Sequence, residues 1–285
     1  MKIKLADHYG LCFGVRDAIA QAERLASQGP LTILGELVHN PVVRKRLADQ
    51  GAREGTLHDF TGATPQVMIT AHGASDADRH AWRAAGFGVA DGTCPLVRHA
   101  HDELRTLVEL GFHPVVIGQP GHVEVRGLAG DFPGAVVIYS EADCEQLPNA
   151  PRLGVVSQTT QPLARVHTLV AAIRAARPTA EVRLLDTVCQ PTKNRQAALR
   201  KLLEECDTLV VVGGRNSNNT LQLVAAASLA GCEVHHVEQA SELQPDWFAA
   251  SETVGITAGT STLKETVAEV KARLEQLADA LLAHA

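Results

Sequence analysis

The feature that most restricts the fold of this chain is a series of four features that occurs three times: a strand, an aspartate, a cysteine and a helix. The runs IKLAD, FGVAD and VRLLD each have the composition of a strand and close in an aspartate. A cysteine follows on a short turn, and an amphipathic stretch follows the cysteine. Short β-branched runs that alternate with amphipathic stretches are typical of α/β proteins. The three cysteines placed in this way are Cys12, Cys94 and Cys189.

The repeat continues beyond each helix. LTILG, PVVIG and LVVVG are strand-like runs that end in glycine and lead into polar loops, and two further strand-like runs follow each of them. We therefore predict three similar doubly wound α/β modules with parallel sheets, in a pseudo-threefold arrangement around a central site. Functional loops in such sheets lie beyond the carboxyl ends of the strands. The expected modules are residues 1–86 with Cys12, 87–180 with Cys94 and 181–285 with Cys189.

Composition excludes several classes of partner. The chain has 285 residues and a formal net charge of −6, which argues against binding nucleic acid or an anionic membrane through bulk charge. The segment MKIKLADHYG lacks the apolar core of a secretory signal, and no long apolar run could span a bilayer. We expect a cytoplasmic protein with reduced cysteines.

The thiols indicate a metal site assembled from distant parts of the chain. Three thiolates suit an iron–sulfur cluster or zinc, and a 4Fe–4S cluster held by three cysteines would keep one iron open. A histidine could complete a zinc site instead, so zinc stays an alternative. The remaining cysteines are interpreted as small buried hydrophobic residues. They are Cys144, Cys206 and Cys232.

Polar loops at the same kind of position could bind an anion. His39, His72 and His122 each lie on a loop that follows a strand. GRNSNNT and TAGTSTL are rich in hydroxyl and amide groups and lead into helices. Their polar residues could be helix N-caps or phosphate ligands, and helix N-termini bind phosphate with these same groups. No Walker or GxGxxG motif occurs, which argues against an ordinary nucleotide site.

Glu124, in GHVEV, comes two residues after a candidate anion-binding histidine. It is either a solvated glutamate or a proton donor. Near a bound polyanion its acid form would be favoured and its pKa raised.

The motifs GLCFGV, LVHNP, TAHG, TCPLV, GHVEV, SQTT, NSNNT and TAGTST, taken in order, resemble the 4-hydroxy-3-methylbut-2-enyl diphosphate reductase family over nearly the whole chain. The resemblance implies a 4Fe–4S cluster held by Cys12, Cys94 and Cys189. It implies that His39, His72 and His122 bind a diphosphate. The residues expected to complete that pocket are Thr160, Ser217, Asn218, Asn219 and Ser261. The resemblance further implies that Thr159 orients the substrate hydroxyl and that Glu124 delivers a proton.

Three positions depart from the family pattern. Asn218 replaces a serine of the pocket loop, and it should retune one contact while still donating hydrogen bonds. Val123 and Leu263 stand where proline is common, and neither change removes a functional group.

The activity implied by the resemblance is a reductive dehydroxylation that gives isopentenyl and dimethylallyl diphosphate, the last step of the methylerythritol phosphate route to isoprenoids. The chain has no flavin or nicotinamide motif, so electrons would come from an external donor such as ferredoxin or flavodoxin. Loss of the open iron in air would leave a 3Fe–4S cluster. The alternatives are a non-catalytic iron–sulfur sensor and a zinc-dependent diphosphate hydrolase.

Overall fold

The computed structural model of the protein describes residues 1–38 and 40–283. The described strands are β1 (Lys2–Leu5), β2 (Leu31–Leu34), β3 (Ala52–Gly55), β4 (Gln66–Ile69), β5 (Gly88–Asp91), β6 (His113–Ile117), β7 (Val136–Ile138), β8 (Arg152–Ser157), β9 (Glu181–Leu184), β10 (Thr208–Val212), β11 (Glu233–Val237) and β12 (Thr253–Ala258). The described α-helices are α1 (Phe13–Gln28), α2 (Pro41–Asp49), α3 (Asp76–Ala84), α4 (Pro95–Glu109), α5 (Val123–Gly130), α6 (Leu163–Ala176), α7 (Gln190–Leu203), α8 (Asn218–Leu229) and α9 (Lys264–Ala283).

These strands form three parallel sheets of four strands each, which confirms the predicted α/β class. The sheet orders are β3-β2-β4-β5, β7-β6-β8-β9 and β11-β10-β12-β1. All three follow one scheme. The strands that follow α1, α4 and α7 are inner strands, and the strand that precedes each predicted cysteine lies at one edge. The internal repeat predicted from the sequence is therefore a repeat of topology.

The sheets differ from the expected module boundaries by one strand per module. The strand at residues 2–5 pairs with Thr253–Ala258, and Gly88–Asp91 pairs with Gln66–Ile69. Glu181–Leu184 likewise pairs with Arg152–Ser157. Each strand expected to open a module thus completes the sheet of another one. The reason is that sequence periodicity groups a strand with the helix that follows it, whereas strand pairing is a long-range choice.

The described chain forms two compact units. One holds Met1–Phe13, Asn40, Pro41 and the chain from Gln190 onward, and it contains the sheet with β1. The other holds Gly14–Val38 and Val42–Cys189 and contains the other two sheets.

Alternate side chains of the inner strands face opposite layers of helices. In β6, Val115 and Ile117 pack with Leu169 of α6, whereas Val116 packs with α4 and α5. The sheet with β1 repeats this pattern, since Val210 and Val212 face α9 while the alternate residues of β10 face α7 and α8. Period-two alternation under two helical layers is what a doubly wound sheet requires. Each fully buried aliphatic side chain contributes roughly 1.5–3 kcal/mol.

Within the residues that the structure describes, none of the helices has both the length and the apolar character needed to cross a bilayer.

Candidate active site

Each predicted cysteine follows the edge strand of one sheet. In all three cases the same kind of backbone hydrogen bond fixes the turn that carries the cysteine. The Cys94 N–H donates to the carbonyl oxygen of Ala71 at 3.0 Å, and the Cys189 N–H donates to that of Thr159 at 2.9 Å. In its own sheet, the Cys12 N–H donates to the carbonyl oxygen of Thr260 at 3.2 Å. Each acceptor lies two residues beyond the neighbouring strand. The thiols are partly exposed. The backbone thus aims the three cysteines in an equivalent way.

The residue that follows each of these acceptors is one of the predicted anion-binding residues. They are His72, Thr160 and Ser261. An imidazole and two hydroxyl groups therefore occupy the same position in the three repeats. A backbone hydrogen bond therefore joins a cysteine turn to the residue before one of these polar side chains at the carboxyl end of every sheet.

The two glycines of GLCFGV are required by different features of the structure. Gly10 has φ of +70°, in the left-handed region, and a Cβ there would lie 3.1 Å from the carbonyl oxygen of Thr262. Gly14 lies in the first turn of α1, and a Cβ there would overlap the Cys94 sulfur. Gly10 lets the chain turn after β1, and Gly14 leaves room for a thiol of another turn.

Of the other cysteines, Cys144 is buried as predicted, whereas Cys206 and Cys232 are partly exposed. Cys144 is buried in the core under α6, and Cys206 and Cys232 pack against the core under α7 and α8. Burial, together with the neighbouring Cys232 thiol, raises the pKa of Cys206 to about 12. Such a thiol stays protonated and is a poor metal ligand.

His122 and His72 lie next to each other in one unit. Their ring centroids are 5.5 Å apart and the rings meet edge-on. His122 is the N-cap of α5, and its Nδ1 accepts the Glu124 N–H at 3.1 Å. Since Nδ1 accepts a hydrogen bond here, the neutral ring carries its proton on Nε2. His122 therefore offers an N–H donor beside the positive end of a helix, an arrangement suited to an anion.

Glu124 is a buried carboxyl group at the start of α5. It is only 2% exposed, and His72 lines the same pocket. Its Oε1 accepts the Thr159 N–H at 2.6 Å, and the Thr159 side chain also hydrogen-bonds to it. Burial raises the pKa of Glu124 to about 7, although the Thr159 hydrogen bonds lower it. The solvated glutamate considered from the sequence is excluded, and a buried carboxyl group with a raised pKa takes its place.

The Thr159 peptide connects Glu124 to a cysteine turn. Its N–H donates to Glu124 and its carbonyl oxygen accepts the Cys189 N–H. The sheet with β1 has the same connection, because the Thr260 N–H donates to Asn219 Oδ1 at 3.0 Å and the Thr260 carbonyl accepts the Cys12 N–H. Both Glu124 and Asn219 are the second residue after a helix N-cap. The repeat thus places an acid in one sheet and a neutral amide in the other.

The loop NSNN forms the start of α8. Ser217 is the N-cap and accepts the Thr220 N–H, as the N-cap alternative predicted. Asn218 and Asn219 form the first turn, and Asn218 Oδ1 accepts Gln222 Nε2 at 3.5 Å. The side chains of Ser217, Asn218 and Asn219 are buried, whereas Asn216 is exposed. The buried side chains surround the positive end of the helix, where anions bind.

Ser261 has a buried hydroxyl group whose Oγ has no hydrogen-bond partner among residues 1–38 and 40–283. Its carbonyl oxygen accepts Asn40 Nδ2 at 3.0 Å, which holds the backbone in place. A buried hydroxyl without a partner is costly unless a ligand completes it. Thr160, on the equivalent loop, accepts Gln158 Nε2 at 3.3 Å.

His39 lies outside the described residues. The sequence did not single out Asn40 as the residue that holds Ser261, nor Arg79 as the partner of Asp91. The aspartate at the end of each repeated strand was the sequence feature that could have drawn attention to the Arg79–Asp91 pair. Val123 is the first helical residue of α5, a position where proline is also accommodated, so this departure from the family pattern leaves the helix start intact.

A family model described as LytB protein matches residues 3–275. The 4-hydroxy-3-methylbut-2-enyl diphosphate reductase of Citrifermentans bemidjiense is 37% identical over 281 residues, which cover 97% of this chain and 98% of that protein. The reductase of the same name from Aquifex aeolicus is 34% identical over 286 residues and 98% of each chain.

Two solved structures are also similar. The E-1-hydroxy-2-methyl-but-2-enyl-4-diphosphate reductase of Plasmodium falciparum superposes with a TM-score of 0.88 at 25% identity, covering 95% of this chain and 87% of that one. A structure described as (E)-4-hydroxy-3-methyl-but-2-enyl diphosphate reductase, the terminal enzyme of the non-mevalonate pathway, gives 0.69 at 33% identity, with 97% and 100% covered.

Proposed function

The chain belongs to the LytB protein family, and from this membership we propose that it is a 4-hydroxy-3-methylbut-2-enyl diphosphate reductase. The reaction replaces an allylic hydroxyl by hydrogen: a pair of electrons and a pair of protons enter, and water leaves. The products are isopentenyl and dimethylallyl diphosphate. The observation that carries the proposal is Glu124, a buried acid bonded to the Thr159 peptide, which in turn holds the Cys189 turn.

We propose Cys12, Cys94 and Cys189 as the ligands of a 4Fe–4S cluster. The donor set fits, because the three thiols have equivalent backbone placement and partial exposure, and the Gly14 position leaves space for one of them. The proposal requires the carboxyl ends of the three sheets to face a common centre. When bound, the cluster supplies single electrons and an iron without a protein ligand that can act as a Lewis acid. Exposure to air would remove that iron and leave 3Fe–4S.

The diphosphate is proposed to bind where donors and helix N-termini coincide. His72 and the Nε2–H of His122 supply donors beside the start of α5, and Ser217 begins α8. The Ser261 hydroxyl, which has no partner among the described residues, supports this assignment, since an anionic oxygen would satisfy it. Most of the binding energy then comes from a group that does not react. The other proposed ligands are His39, Thr160, Asn218 and Asn219.

Glu124 is proposed as the acid that protonates the departing hydroxyl. With a pKa of about 7, it holds its proton near neutral pH, and low polarity around it favours transfer to a developing hydroxide. Thr159 hydrogen-bonds to Glu124 through its side chain, and we propose that it orients the substrate hydroxyl. The alternative, a zinc-dependent diphosphate hydrolase, would not need an acid to protonate a departing hydroxyl group.

The electrons are proposed to come from an external one-electron carrier, such as a ferredoxin or a flavodoxin. Thiolate ligands and an oxygen-sensitive cluster both require a reducing compartment, which supports the cytoplasm as the location.

The proposal is tested by an anaerobic assay of the reconstituted protein with the diphosphate alcohol and a strong one-electron reductant. We expect loss of substrate and formation of both diphosphate products. Serine at Cys12, Cys94 or Cys189 should abolish turnover and cluster absorbance, whereas Cys232→Ser, which changes a thiol outside the site, should retain both. A colourless zinc protein that releases inorganic phosphate would show the hydrolase instead. Equal activity of Cys12→Ser and Cys232→Ser would refute the ligand assignment.

A further inference from the structure

Arg79 is a buried arginine on α3 whose guanidinium group binds two separate turns. The residue is 6% exposed, so protein acceptors must satisfy its donors. Nε donates to Asp91 Oδ2 at 3.0 Å, and Nη2 donates to Thr93 Oγ1 at 2.9 Å. Nη1 donates to the Ala74 carbonyl oxygen and, at 3.2 Å, to Asp76 Oδ1. Only a planar group with several donors can make this set of bonds, which lysine cannot reproduce.

The first of these turns carries Cys94. Asp91 closes β5, and its Oδ1 accepts the Thr93 N–H at 2.9 Å and also the Thr93 hydroxyl. Although burial alone would raise it, the hydrogen bonds of Thr93 and the charge of Arg79 lower the pKa of Asp91 to about 2. The ionised carboxylate and Arg79 therefore fix the residue that directly precedes Cys94.

The second turn carries His72. The residue before it, Ala71, accepts the Cys94 N–H through its carbonyl oxygen, and Ala74, two residues after it, accepts Arg79. His72 thus lies between two anchored carbonyl groups. The two turns also touch, because a Cβ on Gly73 would lie 3.0 Å from Thr93 Cγ2.

The two equivalent aspartates have other contacts that the structure describes. Asp7 pairs with Lys201 at 2.8 Å, and both side chains are more than half exposed. Asp186 Oδ1 accepts the Val188 N–H at 3.2 Å. An exposed ion pair contributes little to stability.

We infer that Arg79 is a positioning residue that holds the Cys94 turn and the His72 turn at one fixed spacing. Arg79, Thr93 and His72 line the same pocket as Glu124. The inference rests on the proposed function, in which Cys94 binds the cluster and His72 binds the diphosphate. Replacing supporting residues of this kind commonly costs about 10–100-fold in metal affinity or activity.

Two replacements and a matched control test this role. Arg79→Met removes every donor and keeps an apolar stem, and Arg79→Lys returns one charge without the planar group. Arg105→Gln is the control, because Arg105 lines the same pocket but is exposed and paired with Asp76. The readouts on reconstituted protein are the rate at which an iron chelator bleaches the cluster and the KM for the substrate. We expect bleaching about 10–100-fold faster and a raised KM for Arg79→Met, intermediate values for Arg79→Lys, and wild-type values for the control.

Thr93→Val keeps the inference testable if Arg79→Met does not fold, because it removes one acceptor of Arg79 and preserves shape. It should accelerate bleaching about tenfold, at the lower end of the same range. Variants that lower only the urea midpoint, with bleaching rate and KM as in the wild type, would assign Arg79 to general stability and overturn the inference. A wild-type protein that takes up no cluster or leaves the substrate unchanged would instead refute the proposed function, and this inference with it.

Discussion

At the scale of single residues, Glu124 shows how burial can turn a common side chain into an acid for neutral pH. Glu124→Gln keeps the shape and an acceptor for the Thr159 N–H but removes the proton. We expect turnover to fall about 10²–10⁴-fold, the usual contribution of a positioned general acid, with little change in substrate affinity. Rapid-mixing kinetics measure turnover and substrate affinity, and the iron content checks that the cluster is intact. Normal turnover with full cluster occupancy would remove Glu124 from the mechanism.

The same carboxyl group predicts a dependence of stability on pH. Its folded-state pKa of about 7 lies above the ordinary 4.5, so the folded state binds more protons than the unfolded state between these values. The free energy of unfolding should therefore decrease as pH rises from about 4.5 to 7 and then level off, with a total of the order of 3 kcal/mol. Urea unfolding of wild type and Glu124→Gln at several pH values measures this. The glutamine variant should lack the decrease, and equal pH profiles would contradict the assignment.

His122 has two tasks that different substitutions separate. Its Nδ1 caps α5, and its Nε2–H is proposed to bind the diphosphate. His122→Asn should keep a cap and lose the donor, so substrate binding weakens by about 1–3 kcal/mol while the melting temperature stays close to the wild-type value. His122→Ala should show the same loss of binding and about 1 kcal/mol less stability. Unchanged substrate affinity in both variants would show that His122 only caps the helix.

At the scale of elements, Gly14 reverses the usual effect of a helix substitution. Replacing glycine by alanine inside a helix ordinarily stabilises it by roughly 0.5–1 kcal/mol. A Cβ at Gly14 of α1 would overlap the Cys94 sulfur, so we expect Gly14→Ala to lower cluster content and thermal stability. Ser27→Ala, an exposed position of the same helix, is the control for propensity alone. A Gly14→Ala protein with full cluster content would show that the thiol can move aside.

At the scale of the whole molecule, a cluster held by three distant thiols should stabilise the fold. Anything that binds the folded chain and not the unfolded one raises its stability. Anaerobic reconstitution should raise the melting temperature, and removal of iron by a chelator should lower it again. Serine at any one of the three proposed ligands should abolish the difference, while Cys232→Ser should keep it. A melting temperature independent of iron in the wild type would contradict a shared site.

Much of the fold could be predicted because it is encoded in nearby residues. Every strand-like run singled out from the sequence is a strand, and the interpretation of Ser217 as an N-cap is confirmed. The membership of β1 in a sheet with β12 could not be predicted, because strand order depends on contacts between residues far apart in the chain. The module boundaries were displaced by one strand for the same reason.

The amino-acid sequence by itself determined the α/β class, the threefold repeat and the thiols, because periodicity and residue type are local properties. Tertiary structure decided which polar groups are buried and what they contact. Glu124 lies 35 residues from Thr159 in the sequence. Nothing in GHVEV shows that this glutamate is buried and accepts a hydrogen bond from the Thr159 N–H. Arg79 likewise reads as an ordinary helix residue until folding brings Asp91 and Ala74 to it. Desolvation and long-range hydrogen bonds exist only in the folded chain, and they set the chemistry of these side chains.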